Sequence, residues 1–378
     1  MSRSRDVTVL VGNGLSIAFN PALNLRAITA EMVSRIAGAS DDGGDVVRAM
    51  KEIAERALPN GVTSEEDFEI LVGAFGAESR TMSDLEHLAD LTKPQDEELK
   101  EAIKRVAQFA EEVRDNGLSH VLQVIFERSH AYQHESQDLH DFVQAVVDSF
   151  EGRVTFANLN YDTLLLSGLI NVCQADLADM GHGYKQVSVT SEDSAVKVPA
   201  LRTTKSDFPS SRRVRLLHLH GSVTFWSNTD RTIFAKLDRG FLETHNQWKA
   251  VRALDTNIRP VVVLANQRDK AAHVRDFPFS LAYAMFSDSL VTADSWLIVG
   301  YSFRDEPVNS CLRDEFSDRD PKPRVLVVTH GSEPTRRQIE RALGWGKEDG
   351  SSNGWLTIHR GGADGVETTA DWSAFTAK

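Results

Sequence analysis

Six short apolar runs recur along the chain, and each ends in a cluster of small or polar residues. Runs rich in Val, Leu and Ile without polar alternation are typical of strands covered on both faces, as in parallel α/β sheets. Strands that alternate with helical segments also predict a parallel sheet. If all six runs are parallel, their polar ends lie along one edge, where such sheets bind ligands. The predicted strands are Val7–Val11, Arg153–Ala157, Arg215–Leu219, Pro260–Ala265, Ser295–Val299 and Arg324–Val328.

The stretch from residue 25 to residue 150 has a different pattern. Apolar residues recur three and four positions apart, as in Ile28, Met32 and Ile36, which predicts a series of about six amphipathic helices. Within it, the hydroxyls and acids of residues 63–67 predict a helix N-terminus. The expected fold is therefore Rossmann-like α/β, with a mostly parallel sheet, helices on both faces and a large helical insertion after the first strand. Residues 1–24 and 151–378 would form the Rossmann-like domain, and residues 25–150 the insertion.

Two further segments are less regular. Residues 181–213 are polar and show no clear periodicity, which predicts a connection across the surface. Residues 355–358 predict a last edge strand.

Composition excludes several classes of function. Lys and Arg number 42 against 55 Asp and Glu, and the net charge of −13 argues against broad nucleic-acid binding. The two cysteines, Cys173 and Cys311, cannot form a disulfide framework or a four-cysteine zinc site. No apolar run approaches the roughly 20 residues of a membrane span, and the first residues do not form a signal-peptide core. We therefore expect no membrane association, no metal and a cytoplasmic location.

The first strand runs directly into a glycine turn with the sequence Gly12-Asn13-Gly14-Leu15-Ser16. Glycines at such a junction let the backbone approach a ligand, and the amides that open the next helix can hold phosphate oxygens. The full G-x-G-x-x-G fingerprint is absent, because Ile17 occupies the third glycine position. Taken alone, this pattern is better explained by an ordinary turn between strand and helix.

Polar side chains also follow two other predicted strands. Asn158, Asn160 and Asp162 follow the second, and burying so many polar groups is costly unless they are hydrogen-bonded or face a ligand. Asp162 could alternatively be a simple helix N-cap. The third strand ends in His218-Leu219-His220-Gly221-Ser222, where His220 would lie at the ligand-binding edge. Both histidines could instead be hydrogen-bonded strand residues without a chemical role.

Four of these motifs, taken in order, resemble the sirtuin-like NAD-binding family, and most closely its bacterial branch used in antiphage defence. They are the glycine turn with Ser16, Asn160-Tyr161-Asp162, His220-Gly221 and Gly300-Tyr301-Ser302. The resemblance spans residues 7–305. It departs from classical sirtuins in carrying Asn13 where those enzymes usually have Ala, and in lacking the paired cysteines of their zinc module.

The resemblance implies a role for each matched residue. Gly12, Gly14 and Ser16 would contact the NAD diphosphate and the adjoining ribose, with Asn13 in the same turn. Asn160 would orient water and the nicotinamide ribose, and Asp162 would hold the carboxamide. His220 would act on a ribose hydroxyl or on an attacking water. The remaining residues expected to bind the cofactor are Gly221, beside His220, and Gly300 and Ser302, on the adenosine side.

The function implied is that of an NAD+ glycohydrolase, which splits NAD+ into nicotinamide and ADP-ribose as the toxic effector of an antiphage system. Two alternatives remain open: a sensor that binds NAD or ADP-ribose without turnover, and a zinc-free NAD-dependent deacylase. Relatives of this kind often form homo-oligomers or act with a partner such as a HerA-like ATPase. The bulk of the helical insertion makes it the natural place for such contacts.

Overall fold

A computed structural model describes residues 5–39, 41–57, 68–93, 95–131, 137–181, 183–191, 194–263, 267–347 and 351–377. The predicted helix N-terminus at residues 63–67 and the last two residues of the predicted strand Pro260–Ala265 therefore lie outside the described residues. In the described part of the chain the central sheet has seven parallel strands, in the order β12-β11-β10-β1-β2-β6-β3. These strands are β1 (Val7–Val11), β2 (Val154–Asn158), β3 (Leu177–Ala178), β6 (Val214–His218), β10 (Ser295–Val299), β11 (Arg324–Val328) and β12 (Leu356–His359).

Helices cover both faces of this sheet, which confirms the predicted fold class. Side chains alternate across each strand, so Val9 and Val11 of β1 join one core and Leu10 joins the other. The first core also holds residues of α2 (Leu25–Ala37), α3 (Gly43–Ala57), α4 (Phe68–Thr92), α5 (Glu97–Ala131), α6 (Gln137–Ser149) and α7 (Leu164–Cys173). The other face is covered by α11 (Phe279–Thr292), α12 (Glu306–Ser317) and α13 (Arg336–Ala342).

The helical insertion lies where it was predicted, between β1 and β2. Its described part holds the five helices α2–α6, fewer than the six or so expected, because apolar segments at residues 103–113 and 121–125 belong to one helix, α5. Gly117 lies inside that helix, and a Cβ added there would be 3.2 Å from Val72 of α4. The glycine is therefore explained by close packing of α4 against α5. The apolar residues of the insertion and of one sheet face form a continuous core; the proposed division into two domains stays a prediction.

The predicted strand at Pro260–Ala265 does not belong to the parallel sheet. β9 (Ile258–Val262) instead pairs antiparallel with β7 (Gly221–Asn228), which also pairs with β8 (Phe234–Lys236) in a separate sheet of three described strands. Pro260 lacks an amide hydrogen, which fits the position of β9 at an edge. An apolar run does not reveal which sheet it joins, so five of the six predicted strands, not all six, share the central edge.

The segment expected to be a surface connection contains an antiparallel pair, β4 (Gln186–Ser191) and β5 (Ser194–Pro199). The predicted last edge strand is confirmed as β12. The remaining helices are α1 (Asn13–Phe19), α8 (Arg239–Thr244), α9 (Gln247–Arg252), α10 (Gln267–His273) and α14 (Ala370–Thr376).

Val9 provides a test of the core around β1. It is fully buried between Leu297 of β10 and Phe156 of β2. Val9→Ala should lower the free energy of unfolding by about 2 kcal/mol, because it removes buried apolar surface and leaves a cavity. Val291→Ala is the matched control, since Val291 is 56% exposed and its loss should change stability by less than about 0.5 kcal/mol. Denaturant midpoints would measure both, and equal effects would contradict this placement of Val9.

Candidate functional site

The predicted site lies at the carboxyl edge of the central sheet, beside the point where the strand order reverses. After β1 the chain adds β2 on one side, and it adds β10 on the other side much later. Open α/β sheets bind ligands at such a switch point. The ends of β1, β2, β6 and β10 carry all the residues predicted from the motifs.

Three glycines bring the turn after β1 into contact with the turn after β10. The Gly12 amide donates to the Val299 carbonyl and the Gly14 amide to the Gly300 carbonyl, each at 2.9 Å. A Cβ on Gly12 would lie 2.6 Å from the Gly300 oxygen, and one on Gly14 would lie 2.5 Å from the Gly300 Cα. Gly300 itself has a φ of +61°. The structure thus gives these glycines a packing role, and their contact with a cofactor diphosphate stays a prediction.

Ser16, Asn160 and Asp162 form one hydrogen-bonded network, although the motifs are far apart in sequence. Asn160 Nδ2 donates to Ser16 Oγ at 2.9 Å and to the Gly12 carbonyl at 3.1 Å. Ser16 Oγ in turn donates to Asp162 Oδ2 at 2.6 Å. All three side chains are buried. With both amide hydrogens committed, the Asn160 Oδ1 has no hydrogen-bond donor among the described residues and can accept one from a ligand or water.

Asp162 also has a local structural task. Its Oδ1 accepts from the Leu164 amide at 3.0 Å at the start of α7, close to the simple capping role considered from the sequence. Burial raises the pKa of this carboxyl, while the Ser16 and Leu164 hydrogen bonds partly counteract it. Both oxygens are therefore engaged by the protein, and a role in holding a carboxamide stays a prediction.

His220 occupies a two-residue turn between β6 and β7, where the chain passes from the central sheet into the smaller one. Gly221 permits this turn, because its φ is +86° and a Cβ there would lie 2.4 Å from the Val261 carbonyl oxygen. His220 is 4% exposed. Burial and the nearby Lys270 ammonium lower its pKa, so the imidazole is neutral at pH 7 and can accept a proton. His218, by contrast, packs edge-on against Phe225, and burial lowers its pKa to about 4.

Three residues that the sequence did not assign to the site contact His220 or its partners. His220 Nε2 lies 3.3 Å from Asp305 Oδ2 and 3.4 Å from the Tyr283 hydroxyl. Lys270 Nζ lies 2.7 Å from the same Asp305 oxygen. Burial disfavours the charged Asp305, but the adjacent His220 and Lys270 outweigh it and hold the Asp305 pKa below its usual range.

The helical insertion reaches this cluster through Glu69 of α4. The Tyr161 hydroxyl donates to Glu69 Oε1 at 2.6 Å and lies 2.8 Å from the Val263 carbonyl. Glu69 Oε2 is 3.7 Å from Lys270 Nζ. A chain of contacts therefore connects the insertion, through Lys270 and Asp305, to His220.

The remaining predicted residues are less closely held. Asn13 is the first residue of α1 and is half-buried, and Ser302 is exposed in the loop between β10 and α12. Neither hydrogen-bonds through its side chain to another described site residue. Their cofactor contacts stay predictions. In the described part of the chain no group of three or more His, Cys, Asp or Glu residues could hold a metal ion, and no described helix is both long and apolar enough to cross a membrane.

Gly300→Ala tests the glycine contact. The added Cβ would lie 2.4 Å from the Leu15 amide nitrogen, and the left-handed φ is itself unfavourable for alanine. We expect the free energy of unfolding to fall by about 2 kcal/mol or more. Gly346→Ala is the control, since nothing lies within 4 Å of its added Cβ. Thermal or denaturant unfolding measures both; a Gly300 variant as stable as the control would refute the close approach.

Ser16→Ala tests the polar network. It would remove the hydroxyl between Asn160 and Asp162 and leave a buried donor and a buried carboxylate without this partner. The expected loss in free energy of unfolding is about 1–3 kcal/mol. Ser373→Ala removes an exposed hydroxyl that bonds a backbone carbonyl in α14, and it should have a much smaller effect. If the two variants unfold at the same denaturant concentration, the network contributes nothing.

Comparison with known proteins assigns this chain to a family. No curated protein matches this sequence. One solved structure, "Structural Basis for the Mechanism and Regulation of Sir2 Enzymes", aligns over 97% of this chain and 90% of that chain, with 11% identity and a TM-score of 0.34. The sequence profile of the SIR2-like domain matches residues 154–348, slightly more than half of the 378 residues. That segment includes Asn160, Asp162, His220 and Gly300, and the chain belongs to the SIR2-like domain family.

Proposed function

We propose that this chain is an NAD+ glycohydrolase that splits NAD+ into nicotinamide and ADP-ribose, as the effector of a bacterial antiphage system that depletes NAD+. The observation that carries the proposal is the presence, at one sheet edge of a SIR2-like domain, of an oriented Asn160 and a neutral, buried His220. Members of the sirtuin-like family use NAD+, and these residues match its motifs. A site built to position a sugar and accept a proton is what glycosidic cleavage requires.

The proposed reaction transfers the nicotinamide ribose from nitrogen to water. The bond between ribose C1′ and the nicotinamide nitrogen breaks, and its electron pair goes to the ring, which leaves as neutral nicotinamide. A water oxygen forms the new bond to C1′, and the water proton passes to neutral His220 and then to solvent. Asn160 Oδ1 would accept a hydrogen bond from the water or a ribose hydroxyl. The products are nicotinamide, ADP-ribose and one proton.

One feature of the chain favours hydrolysis over protein deacylation. The resemblance to classical sirtuins does not extend to the paired cysteines of the zinc module, because the sequence has only Cys173 and Cys311. In those enzymes the module helps to frame the channel for the acylated lysine.

Assembly with a second copy, or with a partner such as a HerA-like ATPase, forms part of the same proposal. Large apolar side chains are exposed on the insertion at Leu88 and Leu91 of α4 and at Val106 and Phe109 of α5. Exposed apolar side chains grouped on one helical pair are typical of interaction surfaces. Contacts there would keep the effector silent or activate it, and they would act on the site through Glu69 of α4.

The purified chain should consume NAD+ and release nicotinamide when assayed at several protein concentrations. His220→Ala and Asn160→Ala should each reduce the rate by about 10²-fold or more, because they remove the proton acceptor and the group that orients the reactants. His330→Ala and Asn353→Ala are matched controls at exposed positions and should keep the wild-type rate. NAD+ binding without turnover would favour the sensor, and NAD+ loss that needs an acylated peptide would favour the deacylase.

A further inference from the structure

We propose that Asp305 is a positioning residue for His220: it holds the ring proton on Nε2 and so makes Nδ1 the nitrogen that accepts the proton in catalysis. The inference rests on the proposed function of His220 as a base, and it adds which nitrogen acts and which residue decides it. It derives from the 3.3 Å contact between His220 Nε2 and Asp305 Oδ2. No motif pointed to this pairing.

Asp305 accepts hydrogen bonds only. Lys270 Nζ, 2.7 Å from Asp305 Oδ2, favours the ionised carboxylate, and an ionised carboxylate has no hydrogen to donate. A lone pair on Nε2 would face this negative oxygen at 3.3 Å and be repelled by it, so a neutral His220 carries its hydrogen on Nε2. In a neutral imidazole the other nitrogen is then a lone-pair acceptor.

The other groups around His220 agree with this assignment. Burial raises the phenol pKa of Tyr283 in α11 well above the usual value, and its neutral hydroxyl, 3.4 Å from the same Nε2, can accept a hydrogen bond from it. The carboxylate of Glu69 in α4 also acts electrostatically on His220, and it lies 3.7 Å from Lys270 Nζ. None of the described residues hydrogen-bonds to His220 Nδ1. Nδ1 is thus the ring nitrogen left for water or a ribose hydroxyl.

The second oxygen of Asp305 fixes the orientation of the carboxylate. Oδ1 accepts from the Val308 amide at 3.2 Å and caps α12. The cap keeps Oδ2 pointed at Lys270 and His220. It also determines what Asp305→Asn would do: the amide oxygen must stay on the Val308 amide, so the NH2 group is directed at His220. An NH2 group in that position donates a hydrogen bond to an Nε2 that carries no hydrogen, so the ring hydrogen moves to Nδ1.

Asp305→Asn should therefore lower the rate of NAD+ hydrolysis by about 10²- to 10⁴-fold, because the histidine takes the wrong tautomer when an orienting carboxylate becomes an amide. The residual activity should have its acid limb at lower pH, because the carboxylate that favours the charged imidazole is gone. Asp371→Asn is the matched control. Asp371 Oδ2 lies 3.0 Å from His359 Nδ1 at the far end of the same sheet, and its loss should leave the rate and the pH profile unchanged.

Nitrogen NMR of protein labelled at its histidines tests the assignment without any turnover. The His220 signal, assigned by its absence in His220→Ala, should show the hydrogen on Nε2 in the wild-type chain and on Nδ1 in Asp305→Asn. A wild-type chain with the hydrogen on Nδ1 overturns the inference even if the variant fails to fold. So does a folded Asp305→Asn with the wild-type tautomer. If the tautomers are as expected but no NAD+ is consumed, the proposed function fails and the pairing stands.

Discussion

The site depends on a close approach of two backbones. Gly12 and Gly14 lie directly against Gly300, with no side chain between the turn after β1 and the turn after β10. A methyl group at any of these positions would separate the turns. Helix α1 begins at Asn13, within this contact. The contact therefore also determines where Ser16 lies relative to Asn160 and Asp162. The glycines shape the site even if none of them touches a ligand.

Around this contact, buried polar groups are arranged so that few choices of orientation remain. Ser16 accepts from Asn160 and donates to Asp162, which fixes the Asn160 amide. Lys270, which is 9% exposed, lies between carboxylates of Asp305 and Glu69. Burying a lysine among carboxylates satisfies its charge and keeps Asp305 ionised. These contacts depend on one another, because the loss of one member leaves another charge unpaired.

The sequence predicted the central sheet and most of the polar residues along its edge, because buried strands and their termini leave a local pattern. It did not predict that β9 leaves that sheet, since apolar composition does not identify a pairing partner. Asp305 was recognisable as a helix cap before Glu306 and Pro307, but a cap signal uses only one carboxylate oxygen. Lys270 gave no signal, because lysines are usually exposed and only the tertiary structure places this one beside Asp305.

The pairing of β1 with β10 has a consequence for synthesis on the ribosome. Val7 pairs with Ser295, so the second neighbour of the central strand is made long after the first residues of the chain. Domains fold as units once their chain is available, and sequence-distant pairings form late. Gly300 and Asp305 follow β10 directly. A nascent chain therefore has no completed site until Asp305 has been made, and the NAD+ hydrolase that we propose could not act while most of its chain was still being translated.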